Sequence, residues 1–288
     1  MKFAVMGGDM RMISLAKMLE GAGHDVCTYA LDAAPEGSVK LCGLSAAGAA
    51  DGVDCVVLPL PVVRNEGGML NAPMSAKSHD AAALLRELPK GTLVCAGKPD
   101  KALFEVAEDA GIKLVDYYAR EELVALNALA TAEGAISVML RSSPTTIWES
   151  KVLVIGAGRI GKMLARRLRA LGAYVSVSAR KPWDKAYIRE MGCTALDTGS
   201  LGNELGDFDT VINTVPAMVL DAERLEMLKP DVLLLDLASR PGGIDFYRAR
   251  ELKLKVIWAQ GLPAETAPVA AGKIIMETVF NIIKEHRG

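Results

Sequence analysis

Residues 151–161 read KVLVIGAGRIG: an apolar run, Val152-Leu153-Val154-Ile155, that stops at Gly156-Ala157-Gly158-Arg159-Ile160-Gly161 and opens a strong helical pattern. A lone G-x-G-x-x-G is weak, but a strand before it and a helix after it are the context a dinucleotide turn requires. Gly156 then makes the tight turn, Gly158 lets the backbone approach a pyrophosphate, and Gly161 lets helix and strand pack closely, with the helix N-terminus facing the negative charge. This predicts a Rossmann-type unit whose cofactor turn is Gly156, Gly158, Arg159, Ile160 and Gly161.

Downstream, the pattern continues as helix Lys162 to Leu171, strand Tyr174 to Ser178, helix Lys185 to Met191, and strands Thr210 to Asn213, Leu233 to Asp236 and Lys255 to Trp258. About twenty residues past the glycines an NAD enzyme carries Asp or Glu for the ribose 2′-hydroxyl. Here the chain reads Ser178-Ala179-Arg180-Lys181. Two cations and no carboxylate suit a 2′-phosphate, which favours NADP over NAD and names Ser178, Arg180 and Lys181 as contacts; two solvated cations in a surface turn are the alternative. The bend Asn213-Thr214-Val215-Pro216 is expected beneath the nicotinamide end, so Asn213, Thr214 and Pro216 join the cofactor set.

Upstream, strands are expected at Lys2 to Met6, Asp25 to Ala30, Cys55 to Leu58, Leu93 to Ala96 and Lys113 to Asp116, with helices Met10 to Ala22 and Pro99 to Ala110. This alternation predicts an α/β fold with parallel sheets and right-handed crossovers. Val62 to Ser78, with Gly67, Gly68 and Pro73, reads as a long loop of the kind that borders sites. Gly7-Gly8-Asp9 lacks a third glycine and reads as a tight turn facing an interdomain cleft. Arg11 starts the next helix, either as a substrate contact or as a solvated first-turn cation. The Pro-free stretch Glu121 to Arg141 reads as one long helix crossing between domains, and the helix Ala270 to His286 as returning to the first.

With 288 residues, 51% of them hydrophobic, the chain suggests two domains. A formal net charge of -2 gives no global field for a phosphate backbone, so nucleic acid is not an expected partner. The start MKFAVMGGD is too short for a signal peptide, and no uninterrupted apolar run approaches the roughly 18 residues of a span, so no membrane is expected. Five cysteines without C-x-x-C read as buried free thiols of a reducing cytoplasm. His24, His79 and His286 are scattered, and no metal site is expected.

Met6-Gly7-Gly8-Asp9-x-Arg11, Ala132-Glu133-Gly134, the Gly156–Gly161 turn, Asn213-Thr214-x-Pro216, the run Asp236-Leu237-Ala238-Ser239-Arg240-Pro241-Gly242-Gly243-x-Asp245-Phe246, and Gly261-Leu262-Pro263 followed by Ala267-Pro268-x-x-Ala271-Gly272 together resemble the family of the dipicolinate synthase A subunit. The resemblance covers nearly the whole chain. It implies NADP-dependent oxidation of a dihydropyridine dicarboxylate to pyridine-2,6-dicarboxylate in the cytoplasm of a sporulating mother cell. It also implies an oligomer with a flavoprotein-like B subunit, and an architecture similar to that of D-2-hydroxyacid dehydrogenases. Residues 1–120 would form a flavodoxin-like substrate domain joined by helix 270–288. Residues 121–141 would be the connecting helix, and 142–269 the NADP-binding Rossmann domain.

Those dehydrogenases use an Arg and a His. Arg240 can match the Arg, whereas Ala259-Gln260-Gly261-Leu262-Pro263 holds no His, which disfavours a histidine-driven alcohol oxidation. A substrate with two carboxylates calls for Arg or Lys donors. Arg240 is the first choice, with the Ser239 hydroxyl beside it and a salt bridge that only holds the loop as the alternative; Arg64 and Lys98 follow strands, where parallel sheets place ligands, each with a solvated surface cation as its alternative. Glu133 is the candidate base, with a structural ion pair as its alternative. Asp236 and Asp245 are expected to orient Arg240 or cap a helix, and Gly242-Gly243 to give the Arg240 loop freedom or simply to form a tight turn. Two other functions stay open: a dehydrogenase of another small carboxylic acid, and a non-catalytic NADP-binding subunit.

Overall fold

The computed structural model describes residues 1–42, 45–64 and 67–287. It divides into two compact units, Met1–Asn127 with Ala267–Gly288, and Ala128–Thr266.

In the first unit five parallel strands, β1 (Lys2–Met6), β2 (Asp25–Tyr29), β3 (Cys55–Val57), β4 (Leu93–Ala96) and β5 (Lys113–Asp116), form a sheet in the order β2-β1-β3-β4-β5. Alternating side chains go to opposite faces. Phe3 and Val5 join Met12, Leu15, Ile275, Val279 and Ile282. Ala4 and Met6 join Ala46, Leu84, Leu103 and Ala107 on the other side. Helices thus cover both faces, which is why these strands read as unbroken apolar runs. Aspartates start three of the helices, Asp9 before Met10–Gly21, Asp80 before Ala81–Glu87 and Asp100 before Lys101–Asp109, each accepting a first-turn amide.

The second unit holds β6 (Lys151–Ile155), β7 (Tyr174–Ala179), β8 (Thr194–Asp197), β9 (Thr210–Asn213), β10 (Leu233–Asp236) and β11 (Lys255–Trp258), all parallel, in the order β11-β10-β9-β6-β7-β8. This is the doubly wound Rossmann order, and the chain reverses direction of winding at β6/β9. Ala132, Ala135 and Met139 of the helix Glu121–Ser142 pack with Leu164 and Leu168 on one face. Leu205, Phe208, Leu225 and Ala249 cover the other.

Several boundaries differ from the sequence reading for identifiable reasons. The helix expected from Lys162 begins at Arg159 because Gly158 is its N-cap. The one expected from Lys185 begins at Pro182, where proline suits the first helical position. Strand β8 and the helix Ala81–Glu87 are absent from the sequence reading; β8 reads Thr194-Ala195-Leu196-Asp197, with no β-branched or aromatic apolar residue to mark it as a strand. The division between units falls at 127/128, inside the helix, because Leu123 belongs to the core of the first unit and Ala132 to that of the second. By length and composition Glu121–Ser142 also passes as a membrane-crossing helix, yet these side chains build it into protein cores.

The helix Pro268–Arg287 lies against Met10–Gly21 at Gly272, where a Cβ would stand 2.6 Å from the Arg11 carbonyl oxygen and 3.1 Å from the Leu15 amide. Gly272→Ala should therefore lower unfolding free energy by about 1–3 kcal/mol through overpacking, against the roughly 1 kcal/mol that helix propensity favours alanine. A urea titration showing a gain would contradict this contact.

Cys27, Cys55, Cys95 and Cys193 are buried and Cys42 is half-buried, all as free thiols. Burial, then the neighbouring Cys42, pushes the Cys27 thiol up to about 12. The Cys95 hydrogen bond followed by burial raises Cys55, and burial raises Cys193. A thiol reagent at mildly alkaline pH should modify Cys42 rapidly and the other four only after denaturation. Mapping of the labelled peptides reads the result.

Candidate cofactor and substrate sites

At the β6/β9 reversal, where open α/β sheets take their ligands, the second unit has a cavity of about 470 Å³ lined in part by Gly156, Gly158, Ser178, Arg180, Lys181, Thr214 and Pro216. Each glycine has a distinct geometric reason. Gly156 has φ +101°, and a Cβ there would stand 2.6 Å from Thr214 Oγ1. A Cβ on Gly161 would stand 1.9 Å from the Gly156 carbonyl oxygen, so helix and turn meet only without one. At Gly158 nothing lies within 4 Å of that position, which leaves open space in front of the helix Arg159–Ala170. The first amides of a helix have no intrahelical acceptor and carry its positive end. The turn therefore fits a phosphate. The Arg159 side chain is exposed and Ile160 packs toward the core, so neither lines the cavity; what they contribute is the main chain of the first turn.

Beyond β7, Arg180 and Lys181 are exposed on the cavity wall, with Lys181 Nζ 5.1 Å from the centre of the Trp183 ring. Ser178 is fully buried, and its hydroxyl accepts from Thr198 Oγ1 at 3.0 Å. The carboxylate of Asp184, also on the wall, is paired with Lys162 at 3.1 Å. Thr198 and Gly199, which follow β8, and Val219 and Arg224, which follow β9, complete this end. None of these four is named by the sequence reading, since β8 itself has no pattern and Arg224 belongs to no motif. Hydrogen bonds from Lys185 and the Gly199 amide hold the Asp197 carboxyl below its ordinary range and fix the Thr198 turn.

Asn213, expected to touch the cofactor, does not line the cavity. It is completely buried; Nδ2 donates to Asp236 Oδ1 at 2.8 Å and to the Val215 carbonyl at 2.9 Å, and Oδ1 accepts from the Val215 amide at 3.1 Å. With its amide so engaged, Asn213 shapes the turn that presents Thr214 and Pro216.

Asp236, also fully buried, accepts in addition from the amides of Ala238 at 3.0 Å and Gly243 at 2.8 Å. These bonds fold 237–243 into a tight turn that leaves Ser239 and Arg240 exposed, with the Arg240 guanidinium 6.0 Å from the Trp258 ring centre. Trp258 Nε1 and Gln260 Nε2 both donate to the Ala238 carbonyl, at 3.0 and 3.3 Å. Asp245 caps the helix Phe246–Glu251. Glu133, the candidate base, is instead an exposed side chain paired with Arg167 at 3.4 Å. Its neighbours explain this: Ala132 is fully buried and Gly134 packs against Leu262 and Thr266, so the helix turns residue 133 outward.

In the first unit Arg11 is not a solvated cation. It is 8% exposed, with Nε 2.9 Å from Asp9 Oδ1 and Nη2 2.7 Å from Asp9 Oδ2, and Nη2 also donates to the Leu60 carbonyl. It thereby ties the loop after β1 to the loop after β3, at this sheet's own switch point. The Val62 amide donates to the Gly97 carbonyl at 2.7 Å, joining the segments that lead to Arg64 and Lys98, both exposed. Lys98 has φ +56°, and its amide donates to Asp116 Oδ1 at 2.9 Å. All three cations follow the carboxyl ends of strands. Among the described residues no three His, Cys, Asp or Glu side chains group as metal ligands.

Residues 2–118 match the family model of the N-terminal domain of the dipicolinate synthase A subunit. Residues 129–245 match that of the D-isomer specific 2-hydroxyacid dehydrogenase NAD binding domain. The dipicolinate synthase A subunit of Bacillus subtilis (strain 168) is 33% identical across 99% of this chain and 96% of that protein. The chain belongs to the family of the dipicolinate synthase A subunit. The crystal structure of the Bacillus subtilis protein superposes with TM-score 0.85 at 32% identity, covering 100% of this chain and 97% of that one. Its counterpart from Bacillus halodurans gives TM-score 0.85 at 29% identity over 98% and 97%. D-Lactate dehydrogenase from Escherichia coli, TM-score 0.66 at 18% identity over 100% and 98%, shares the fold. The family resemblance and the D-2-hydroxyacid-dehydrogenase-like fold read from the sequence are thus shown. The matched dehydrogenase domain makes a nicotinamide dinucleotide the cofactor class and oxidoreduction the reaction class.

Asp236→Asn would put an amino group toward buried donors and leave at least one of them unpaired. We expect a loss of about 2–4 kcal/mol in unfolding free energy. A variant as stable as the parent in a denaturant titration would refute the central role given to this carboxylate.

Proposed function

We propose that this chain oxidises dihydrodipicolinate, or its hydrated precursor, to pyridine-2,6-dicarboxylate with NADP, in the cytoplasm of a spore-forming bacterium and together with a flavoprotein-like B subunit. The observation that carries the cofactor half is the β6/β9 cavity: an open glycine turn at a helix N-terminus with Arg180 and Lys181 where an NAD enzyme keeps its carboxylate. The substrate half rests on family membership over the whole chain.

A bound nicotinamide supplies the hydride acceptor for such an oxidation. The chain's own residues bind and orient. The glycine turn and the first turn of Arg159–Ala170 take the pyrophosphate, Arg180 and Lys181 the 2′-phosphate, and Thr214 and Pro216 wall the cavity. Arg240, with the Ser239 hydroxyl, is assigned to a substrate carboxylate; Arg11, Arg64 and Lys98 are the cations assigned to carboxylate recognition in the first unit. Arg11 offers only the part of its guanidinium that Asp9 and Leu60 leave free. Glu133 is paired with Arg167, which favours the structural alternative for this residue over the base. Gln260 stands among the residues where the dehydrogenases carry a catalytic histidine, and an amide accepts no proton at neutral pH, which speaks against a hydroxyacid substrate.

The deciding assay gives the purified chain, alone and with the B subunit, the aldolase product of pyruvate and aspartate semialdehyde, with NADP and NAD in parallel. Reduced cofactor should appear with NADP together with pyridine-2,6-dicarboxylate by mass; no product with both proteins present would reject the proposal. Arg180→Asp should weaken NADP binding by about 1.5–3 kcal/mol through loss of a charge-assisted contact. The loss for NAD should be smaller. Equal NADP affinity in calorimetry would remove the 2′-phosphate assignment.

A further inference from the structure

Two loops of the cavity come from strands on opposite sides of β6. The turn Thr198–Ser200 follows β8, and the segment 214–221 follows β9. One side chain spans them. Arg224 Nη1 donates to the Val219 carbonyl at 2.7 Å, and Nη2 donates to the carbonyls of Thr198 at 3.3 Å and Gly199 at 3.2 Å. Its place is set locally: the Asp221 carboxylate caps the helix Ala222–Glu226 by accepting the Arg224 amide at 3.0 Å, and helical side chains lean toward the N-terminus, here toward both loops.

The turn that Arg224 holds is bound in two further ways. Thr198 Oγ1 donates to Ser178 Oγ at 3.0 Å, and the Gly199 amide donates to Asp197 Oδ1 at 2.8 Å. Since Ala179 pairs with Asp197 in the sheet, this turn stands beside Arg180 and Lys181. Arg224 is itself half-buried on the cavity wall. The width of this end of the cavity and a third positive charge in it thus depend on one planar donor. A lysine cannot replace it, because an ammonium on a flexible stem does not present the fixed fork that reaches both loops at once.

We propose that Arg224 is the positioning residue of the adenosine end of this cavity, setting the gap into which a 2′-phosphorylated adenosine fits. The inference rests on the dinucleotide reading above and names a residue that the family motifs do not.

The test measures binding by calorimetry for 2′,5′-ADP, nicotinamide mononucleotide and NADP on the full chain and on Arg224→Gln and Arg224→Lys. Both substitutions should raise Kd for 2′,5′-ADP and NADP about 5- to 20-fold, with little change for the mononucleotide. In turnover the loss should fall on KM for NADP rather than on kcat. Unchanged 2′,5′-ADP affinity in a variant of a parent that binds it overturns the proposal, as does an equal loss for both half-molecules, which would mark a general disturbance of the unit. If Arg224→Gln does not fold, Arg224→Lys carries the same comparison. A parent that binds neither 2′,5′-ADP nor NADP rejects the dinucleotide reading itself, a result separable from failure of Arg224 alone.

Discussion

Asp236 is a carboxylate with no surface in water, and such a group is tolerated only when donors surround it. One donor, Asn213, comes from the neighbouring strand β9; the others are main-chain amides of the segment that follows β10. To bring the Gly243 amide back to this carboxylate the chain must double over the end of its own strand. Gly242 does so at φ +87°, and a Cβ on it would stand 2.8 Å from Asp236 Oδ2. A Cβ on Gly243 would stand 2.3 Å from Asn213 Nδ2. The two glycines are therefore needed for fit more than for mobility. Through Asn213 the same anion also sets the Val215 main chain, and with it one wall of the cavity. The exposed Arg240 turn and the cofactor wall share a single buried charge.

The first unit solves the equivalent problem with the opposite sign. There the buried charge at the switch point is the Arg11 guanidinium, and its acceptors are the Asp9 carboxylate and the Leu60 carbonyl. Close packing again excludes side chains: a Cβ on Gly8 would stand 2.2 Å from Met12 Cγ, and one on Gly97 would stand 2.6 Å from Leu60 Cβ. The loops after β1, β3 and β4 are joined at their bases, through Arg11 to Leu60 and through the Val62 amide to the Gly97 carbonyl, and the exposed Arg64 and Lys98 follow these joints.

Legibility in the sequence follows apolar runs, most of which include β-branched or aromatic residues. Strands β1, β4, β5, β9, β10 and β11 are legible to the residue; four of them are mostly buried, and the edge strands β5 and β11 still carry Val115 and Val256-Ile257-Trp258. The glycine turn is legible from its strand-turn-helix context, and its first three residues, Gly156, Ala157 and Gly158, line the cavity. The losses come where meaning depends on a distant partner. Asn213 looks like a contact because it ends a strand at the switch point, but its partner is Asp236, 23 residues away. Glu133 looks like a base until the helix phase turns it toward Arg167. Arg224 carries no local signal, since its role comes from three carbonyls on two other loops.

The ends of β10 and β11 are joined so as to hold the turn that carries Arg240. Trp258 and Gln260 both donate to one carbonyl, that of Ala238, two residues before Arg240. The Trp258 ring is stacked on Phe246 with centres 4.9 Å apart, so this anchor is itself anchored. A guanidinium does not give up its proton in a protein, and an amide side chain does not take one. These groups can hold and orient an anion but cannot shuttle a proton. In the oxidation proposed above a ring proton is lost besides the hydride, and it would pass to water or to another group; the turn that carries Arg240 would serve only to orient the substrate.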